Sequence, residues 1–214
     1  MKKNAPFIYI IDDDESIRSS LDSLFRSVGF ATHTFVSTQE FLAVERPDAE
    51  ACLVLDIRLQ GTSGLDFQQQ LAQSGIEIPV VLMTGHGDIP MSVRGMKAGA
   101  VDFLTKPFRD QDMLDAVAAA LKLDRARRAN QEAFASIEER YQSLTLREQQ
   151  VMLLVTRGLL NKQVAGDLGI SEVTVKIHRG SAMKKMGART LPDLVRMADA
   201  LKLRDIKEAG NTSV

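Results

Sequence analysis

Five side chains in the first half of this chain have the types and spacing for phosphoryl chemistry: Asp12, Asp13, Asp56, Thr84 and Lys106. Each lies at or just beyond the end of a short apolar run, namely Phe7–Ile11, Cys52–Leu55, Ile78–Met83 and Val101–Leu104. Runs of that length, bounded by turn residues, read as buried strands. If the strands are close in one sheet, the five side chains meet at one edge. Three carboxylates held together repel and call for a hard divalent cation. Mg2+ suits them, because it prefers oxygen ligands and retains waters that a phosphate can replace. An aspartate can attack phosphorus and form an acyl phosphate. The cation and a lysine then offset charge on the transferring group, and a threonine hydroxyl donates to another of its oxygens. Alone, each residue has a plainer use: Asp13 or Asp14 as a helix cap, Lys106 as a surface lysine, Thr84 as a turn residue. Their combination at four strand ends points to chemistry.

The elements that must position them alternate. Strand-like runs at Phe7–Ile11, Phe30–Phe35, Cys52–Leu55, Ile78–Met83 and Val101–Leu104 are interleaved with helical patterns at Glu15–Val28, Thr38–Val44, Leu65–Gln73, Ile89–Ala98 and Asp110–Leu123. Five such alternations predict a doubly wound, flavodoxin-like α/β domain over residues 1–123: a five-stranded parallel sheet covered on both faces. Functional groups in such sheets collect at the carboxyl ends of the strands. Residues 124–142 contain no Gly or Pro and favour a charged helical linker, which either extends the fifth helix or forms a separate spacer. Its apolar positions Ala126, Ala129, Ala133 and Ile137 are thin, so a dimer seam and a solvated spacer both remain open. Its arginines Arg125, Arg127 and Arg128 read as solvation or salt bridges rather than nucleic-acid contacts.

Residues 143–208 read as an all-α, four-helix domain, with 209–214 as a disordered tail. Thr145-Leu146-Arg147-Glu148 is a capping box. Gly158 breaks the helix it opens, and Asn161 is expected to cap a second helix running to Leu168. Ser171 caps a third helix ending at Gly187, and Thr190 with Pro192 and Asp193 starts a fourth. Two short helices separated by Gly169-Ile170 match a helix-turn-helix.

Among the 214 residues, 27 Lys+Arg and 28 Asp+Glu give a net charge of −1. The balance is uneven, since residues 1–123 carry 11 basic and 17 acidic side chains, and residues 124–214 carry 16 and 11. An acidic half followed by a basic half suggests different partners, with a polyanion for the second. No apolar run approaches the roughly 20 residues of a membrane helix. The single cysteine, Cys52, lies in an apolar run and forms no internal disulfide, which favours a cytoplasmic address. The histidines His33, His86 and His178 are too scattered for a zinc site.

The segments Ile11-Asp12-Asp13-Asp14, Leu55-Asp56-Ile57-Arg58, Met83-Thr84-Gly85-His86-Gly87 and Thr105-Lys106-Pro107-Phe108 resemble the receiver domain of bacterial response regulators. The match spans residues 6–123 in order and spacing. The resemblance implies that Asp56 is the phosphoacceptor, that Asp12, Asp13 and Asp56 bind Mg2+, and that Thr84 and Lys106 contact the phosphoryl group. It also implies a cis Lys106-Pro107 bond and a switch pair, Thr84 and Phe103. One departure stands beside the acceptor. Many relatives read Met-Pro-Gly where this chain has Leu59-Gln60-Gly61, which implies a looser loop and bears on phosphoryl lifetime.

Residues Leu144–Met197 resemble the helix-turn-helix of response regulators that activate nitrogen-fixation or nitrate genes. The likeness rests on Leu144-Thr145, Arg147-Glu148, Gly158, Asn161-Lys162, Ala165, Leu168, Ile170-Ser171, Thr174-Val175-Lys176, His178-Arg179, Lys184 and Leu194-Val195-Arg196-Met197. The phrase Gly85-His86-Gly87-Asp88-Ile89-Pro90-Met91 and the long linker resemble the branch of nitrogen-fixation and styrene-catabolism regulators. Helix geometry places Val175, Ala182 and Met186 inward and Lys176, Gly180 and Lys184 along an exposed stripe. Ile177 is exposed too, where it could meet thymine methyls, while Lys176 suits base edges or phosphates. Thr174, His178 and Arg179 suit phosphates, and Asn161 and Lys162 suit the backbone. Gly180 either permits close approach or is a missing contact.

The resemblance implies a phosphorylation switch. A sensor histidine kinase donates to Asp56, the surface around Ile89–Phe103 shifts and a homodimer forms. Promoter DNA is then bound as an activator, with RNA polymerase a further partner. Two competing readings are weaker. A phosphohydrolase acting through an aspartyl phosphate would carry a second Asp where Arg58 stands, and a degenerate receiver would lack the intact acidic set.

Overall fold

A computed structural model of the chain describes residues 5–85 and 89–203. The expected tail at 209–214, the end of the second domain at 204–208, and His86-Gly87-Asp88 lie outside the described residues.

The first part of the chain runs β1 (Phe7–Ile11), α1 (Glu15–Ser27), β2 (Ala31–Phe35), α2 (Thr38–Ala43), β3 (Ala51–Asp56), β4 (Arg58–Leu59), β5 (Thr62–Ser63), α3 (Gly64–Gln73), β6 (Val80–Thr84), α4 (Ile89–Lys97), β7 (Asp102–Thr105) and α5 (Asp110–Gln142). Five strands form one sheet in the order β2-β1-β3-β6-β7, all parallel. The three central strands, β1, β3 and β6, each feed two cores, as period-two geometry requires. Tyr9, Ile11, Leu53, Leu55 and Leu82 face one side with Phe41, Phe67 and Leu71. Ile8, Ile10, Cys52, Val54, Val81 and Met83 face the other with Leu21, Phe25, Met113 and Val117. Burial on both faces explains why β3 and β6 read as unbroken apolar runs.

One local feature differs from expectation. Thr62-Ser63 pairs antiparallel with Arg58-Leu59, and Gly61, at φ 84°, supplies the positive φ of the two-residue turn between them. The segment after Asp56 is therefore a hairpin rather than a loose loop. The alternative left open for the linker is resolved too: α5 is a single helix of 33 residues, with 124–142 its last part.

The chain divides into two compact units, with the division after Arg128. The second unit holds α6 (Leu146–Thr156), α7 (Asn161–Leu168), α8 (Glu172–Met186) and α9 (Leu191–Ala200) around Val151, Met152, Val155, Val164, Val175, Met186 and Leu194, with Ile137 and Tyr141 of α5 packed against them. The capping boxes at Thr145/Glu148 and Thr190/Asp193 are both formed. Gly169 adopts the left-handed conformation at the end of α7 and makes the sharp turn into α8. Among the described residues, no helix is long and apolar enough to cross a membrane.

Candidate functional site

Parallel register sets the first site. Ile11 lies beside Leu55, Asp56 beside Met83, and Thr84 beside Thr105. The carboxyl ends of β1, β3, β6 and β7 therefore coincide, and the residues that follow gather at one sheet edge. Asp14 serves as the N-cap of α1, accepting from Ser16 N–H at 2.8 Å and Ile17 N–H at 3.4 Å. That leaves Asp12 and Asp13 for the edge.

Asp12, Asp13 and Asp56 each bring a carboxylate oxygen within 4.8 Å of the others. Asp12 and Thr84 are fully buried, and Asp56 is 5% exposed. Lys106 reaches in from the end of β7, with Nζ donating to Asp12 Oδ2 at 2.6 Å and standing 3.5 Å from Asp56 Oδ1. The longer distance is an ion pair rather than a good hydrogen bond, and Asp56 Oδ1 is buried with no hydrogen-bond partner. Burial raises the Asp56 pKa, and the Asp12 charge adds to that, against the opposing pull of Lys106. A buried, charged oxygen without a donor is an acceptor awaiting a cation or an electrophile. One lysine facing three carboxylates leaves the edge net negative, and its all-oxygen donor set fits a hard divalent ion such as Mg2+.

Local geometry fixes Asp56. Gly64 N–H donates to Ile57 O at 2.9 Å. A Cβ on Gly64 would lie 2.3 Å from the Asp56 carbonyl oxygen and 2.8 Å from Ile57 Cα. Glycine is thus required where α3 crosses the end of β3. Lys106 is held by its own N–H donating to Thr84 O at 2.7 Å, and the Lys106-Pro107 bond is cis, as the resemblance implied. Phe103 is half-buried on β7 and packs against the core containing Leu82. A Cβ on Gly95 of α4 would meet Leu82 Cδ1 at 2.5 Å and lie 3.8 Å from Phe103. Helix α4 therefore rests closely on the strand that ends in Thr84.

The second site lies on α8. Val175, Ala182 and Met186 are buried, whereas Ile177 is 61% exposed and Lys176, Gly180 and Lys184 are exposed, as the helical spacing predicts. Val173, missed in the sequence reading, is 67% exposed one turn before Ile177, and its i, i+4 spacing was the available signal. Thr174, His178 and Arg179 are half-buried, and Lys162 is exposed. Thr174 shares a hydroxyl contact of 2.8 Å with Ser171, the N-cap of α8. Asn161 needs a correction. Leu160 holds the N-cap position of α7, and the Gln163 side chain accepts from its N–H at 2.8 Å. Asn161 instead accepts from Arg179 Nη1 at 3.3 Å, joining the two helices. Lys185 is drawn away from the stripe by Glu148, at 2.7 Å. Among the described residues, and apart from the backbone of its own helical turns, nothing lies within 4 Å of a Cβ built on Gly180.

The three arginines at the start of the linker meet carboxylates. Arg125 pairs with Glu50, Arg127 with Asp124 and Glu77, and Arg128 with Asp124 and Asp48.

Comparison with known proteins identifies both domains. Residues 8–118 match the response regulator receiver domain, and residues 142–198 match the bacterial regulatory proteins of the luxR family. Nodulation protein W of Bradyrhizobium diazoefficiens is 56% identical over 194 residues, covering 91% of this chain and 86% of that protein. Response regulator protein TodT of Pseudomonas putida is 48% identical over 202 residues, covering 94% and 89%. The solved structure of the response regulator StyR superposes with a TM-score of 0.81 at 48% identity, over 92% of this chain and 99% of that one. An acidic, lysine-bearing sheet edge and a basic helix-turn-helix, matched along nearly the whole chain, place it in the family of response regulators that couple a receiver domain to a LuxR-type DNA-binding domain.

Proposed function

We propose that residues 1–123 accept a phosphoryl group on Asp56 from a sensor histidine kinase, and that this switches promoter binding by residues 143–208. The observation that carries the reading is the buried Asp56 Oδ1, which has no hydrogen-bond partner, beside Asp12, Asp13 and Lys106. A carboxylate oxygen of Asp56 attacks phosphorus; the new P–O bond forms as the P–N bond to the kinase histidine breaks, and the imidazole leaves with the electron pair and takes up a proton. Asp12, Asp13 and Asp56 would hold Mg2+, which supplies charge neutralisation to the transferring group. Lys106 adds a fixed positive charge at the same oxygens, and the Thr84 hydroxyl takes another. Thr84 drawn toward the phosphoryl group vacates space into which the Phe103 ring turns.

On α4, Ile89, Val93 and Met96 are 80%, 43% and 46% exposed. Their i, i+4, i+7 spacing forms an apolar stripe that supports a phosphorylation-dependent homodimer. Two α8 helices then read a two-fold promoter site, with Lys176, Ile177 and Gly180 toward bases and Asn161, Lys162, Thr174, His178, Arg179 and Lys184 toward phosphates. The protein acts in the cytoplasm as an activator that engages RNA polymerase, and it turns over no external substrate. The exposed Arg58, two residues past Asp56, supports that last point.

Footprinting on genomic DNA tests the reading, with wild type and Asp56→Asn each given a small phosphodonor and Mg2+. Tighter and more cooperative protection is expected for wild type alone; equal footprints refute the switch. Lys176→Ala should weaken DNA binding and leave Asp56 labelling intact, and unchanged affinity would remove it from the contacts.

A further inference from the structure

Asp124 is a charged side chain that the phosphoacceptor site does not use, yet it is 1% exposed. It lies at the opposite end of the sheet from Asp56. Its Oδ2 accepts from the Ala51 backbone N–H at 3.0 Å and from Arg128 Nε at 2.8 Å, and its Oδ1 accepts from Arg127 at 2.6 Å. The same arginines reach outward, Arg127 to Glu77 before β6 and Arg128 to Asp48 before β3. Burial would raise the Asp124 pKa, but the two guanidiniums and the Ala51 N–H outweigh it and lower it. The carboxylate therefore stays ionised at neutral pH. An open cavity of about 300 Å³ borders the cluster, so polar contacts rather than close packing hold this side.

Ala51 and Asp56 are the two ends of one buried strand, β3, which at about 3.3 Å per residue separates them by about 17 Å. The chain thereby closes a ring. Lys106 faces Asp56, α5 begins four residues later at Asp110, Asp124 on α5 binds the start of β3, and β3 returns to Asp56. A displacement at Lys106 or Asp56 can reach residues 124–128 of α5 by two stiff routes, the helix and the strand.

We propose that Asp124 is a positioning residue: with Arg127 and Arg128 it latches the part of α5 that leaves the receiver to the start of β3, and phosphorylation of Asp56 reaches DNA binding only while this latch is closed. The inference rests on the switch proposed above and adds the element that transmits it.

The test uses the full chain as wild type, Asp124→Asn, the pair Arg127→Gln with Arg128→Gln, and Arg125→Gln as a control on an exposed ion pair. The Arg pair covers the case in which Asp124→Asn fails to fold. Two quantities are measured: amide hydrogen exchange over residues 124–134, and the gain in DNA affinity on adding a small phosphodonor. Asp124→Asn and the Arg pair should each speed exchange about tenfold or more and abolish most of the affinity gain, with Asp56 labelled at the wild-type rate. Arg125→Gln should match wild type in both. Unchanged exchange in the variants would show that Asp124 does not hold the helix. Faster exchange with the affinity gain intact would show that the latch transmits nothing. Wild type lacking any affinity gain would overturn the switch itself, a failure distinct from the first because the exchange measurement does not depend on phosphorylation.

Discussion

Asp56→Asn should make the unphosphorylated protein more stable, although it removes the proposed phosphoacceptor. With an effective dielectric of about 20, two unit charges at 4.8 Å repel by about 3.5 kcal/mol. Asp56 faces two such neighbours, Asp12 and Asp13. Lys106 at 3.5 Å returns about 4.7 kcal/mol of attraction on the same scale. Asp13 is partly exposed, so its share is screened, and burial, the first cause of the raised Asp56 pKa, adds to the Asp12 repulsion, so that ionised Asp56 costs about 1–2 kcal/mol. For a receiver of this size that is a rise in Tm of about 3–8 °C. Calorimetry of the full chain without divalent cations, following the receiver transition, measures it. The pH dependence has a defined sign. The Asp56 pKa is raised by folding, so its ionisation costs stability at neutral pH. That cost disappears as pH falls through the raised value, and the gap between variant and wild type should close with it. Mg2+ should raise the Tm of wild type more than that of Asp56→Asn, because the proposed cation site exists only in the folded acidic cluster. A variant that melts at or below wild type, or a wild type indifferent to Mg2+, would refute the electrostatic account of the site.

In the second unit, the Lys185 ion pair and the Thr145 cap hold the Glu148 pKa below its ordinary value of 4.5. The stability it contributes is present above that value and lost as pH falls through the depressed one. Glu148→Gln should therefore lower the melting temperature of this unit at pH 7 and leave it unchanged at strongly acidic pH; a variant equal to wild type at pH 7 contradicts this. Gly180→Ala should stabilise α8 by about 0.5–1 kcal/mol, since among the described residues the added Cβ meets nothing beyond its own helical turns. It should also lower DNA affinity, as measured by fluorescence anisotropy, because the added methyl would fill the notch beside Ile177 proposed to admit the duplex. Unchanged affinity would leave the notch without a role.

The acidic edge was legible from sequence for a local reason. Strands buried on both faces must be almost wholly apolar, so Phe7–Ile11, Cys52–Leu55 and Ile78–Met83 announce both themselves and their carboxyl ends. The inward and outward faces of α8 were legible in the same way, because helical period alone separates Val175 from Ile177. Cap chemistry was legible where a side chain bonds three residues away, as at Thr145 and Glu148. It misled at Asn161, where Gln163 reaches back to Leu160 instead. What sequence could not show depends on residues far apart in the chain. Asp124 reads as one more charge on a solvated helix until the sheet closes and brings it to Ala51, 73 residues earlier. Gly64 reads as a loop residue until α3 is laid over the Asp56 carbonyl. Local periodicity names the elements and the ends on which chemistry can sit. Only the packed sheet decides which charges are stripped of water and which partner each one then requires.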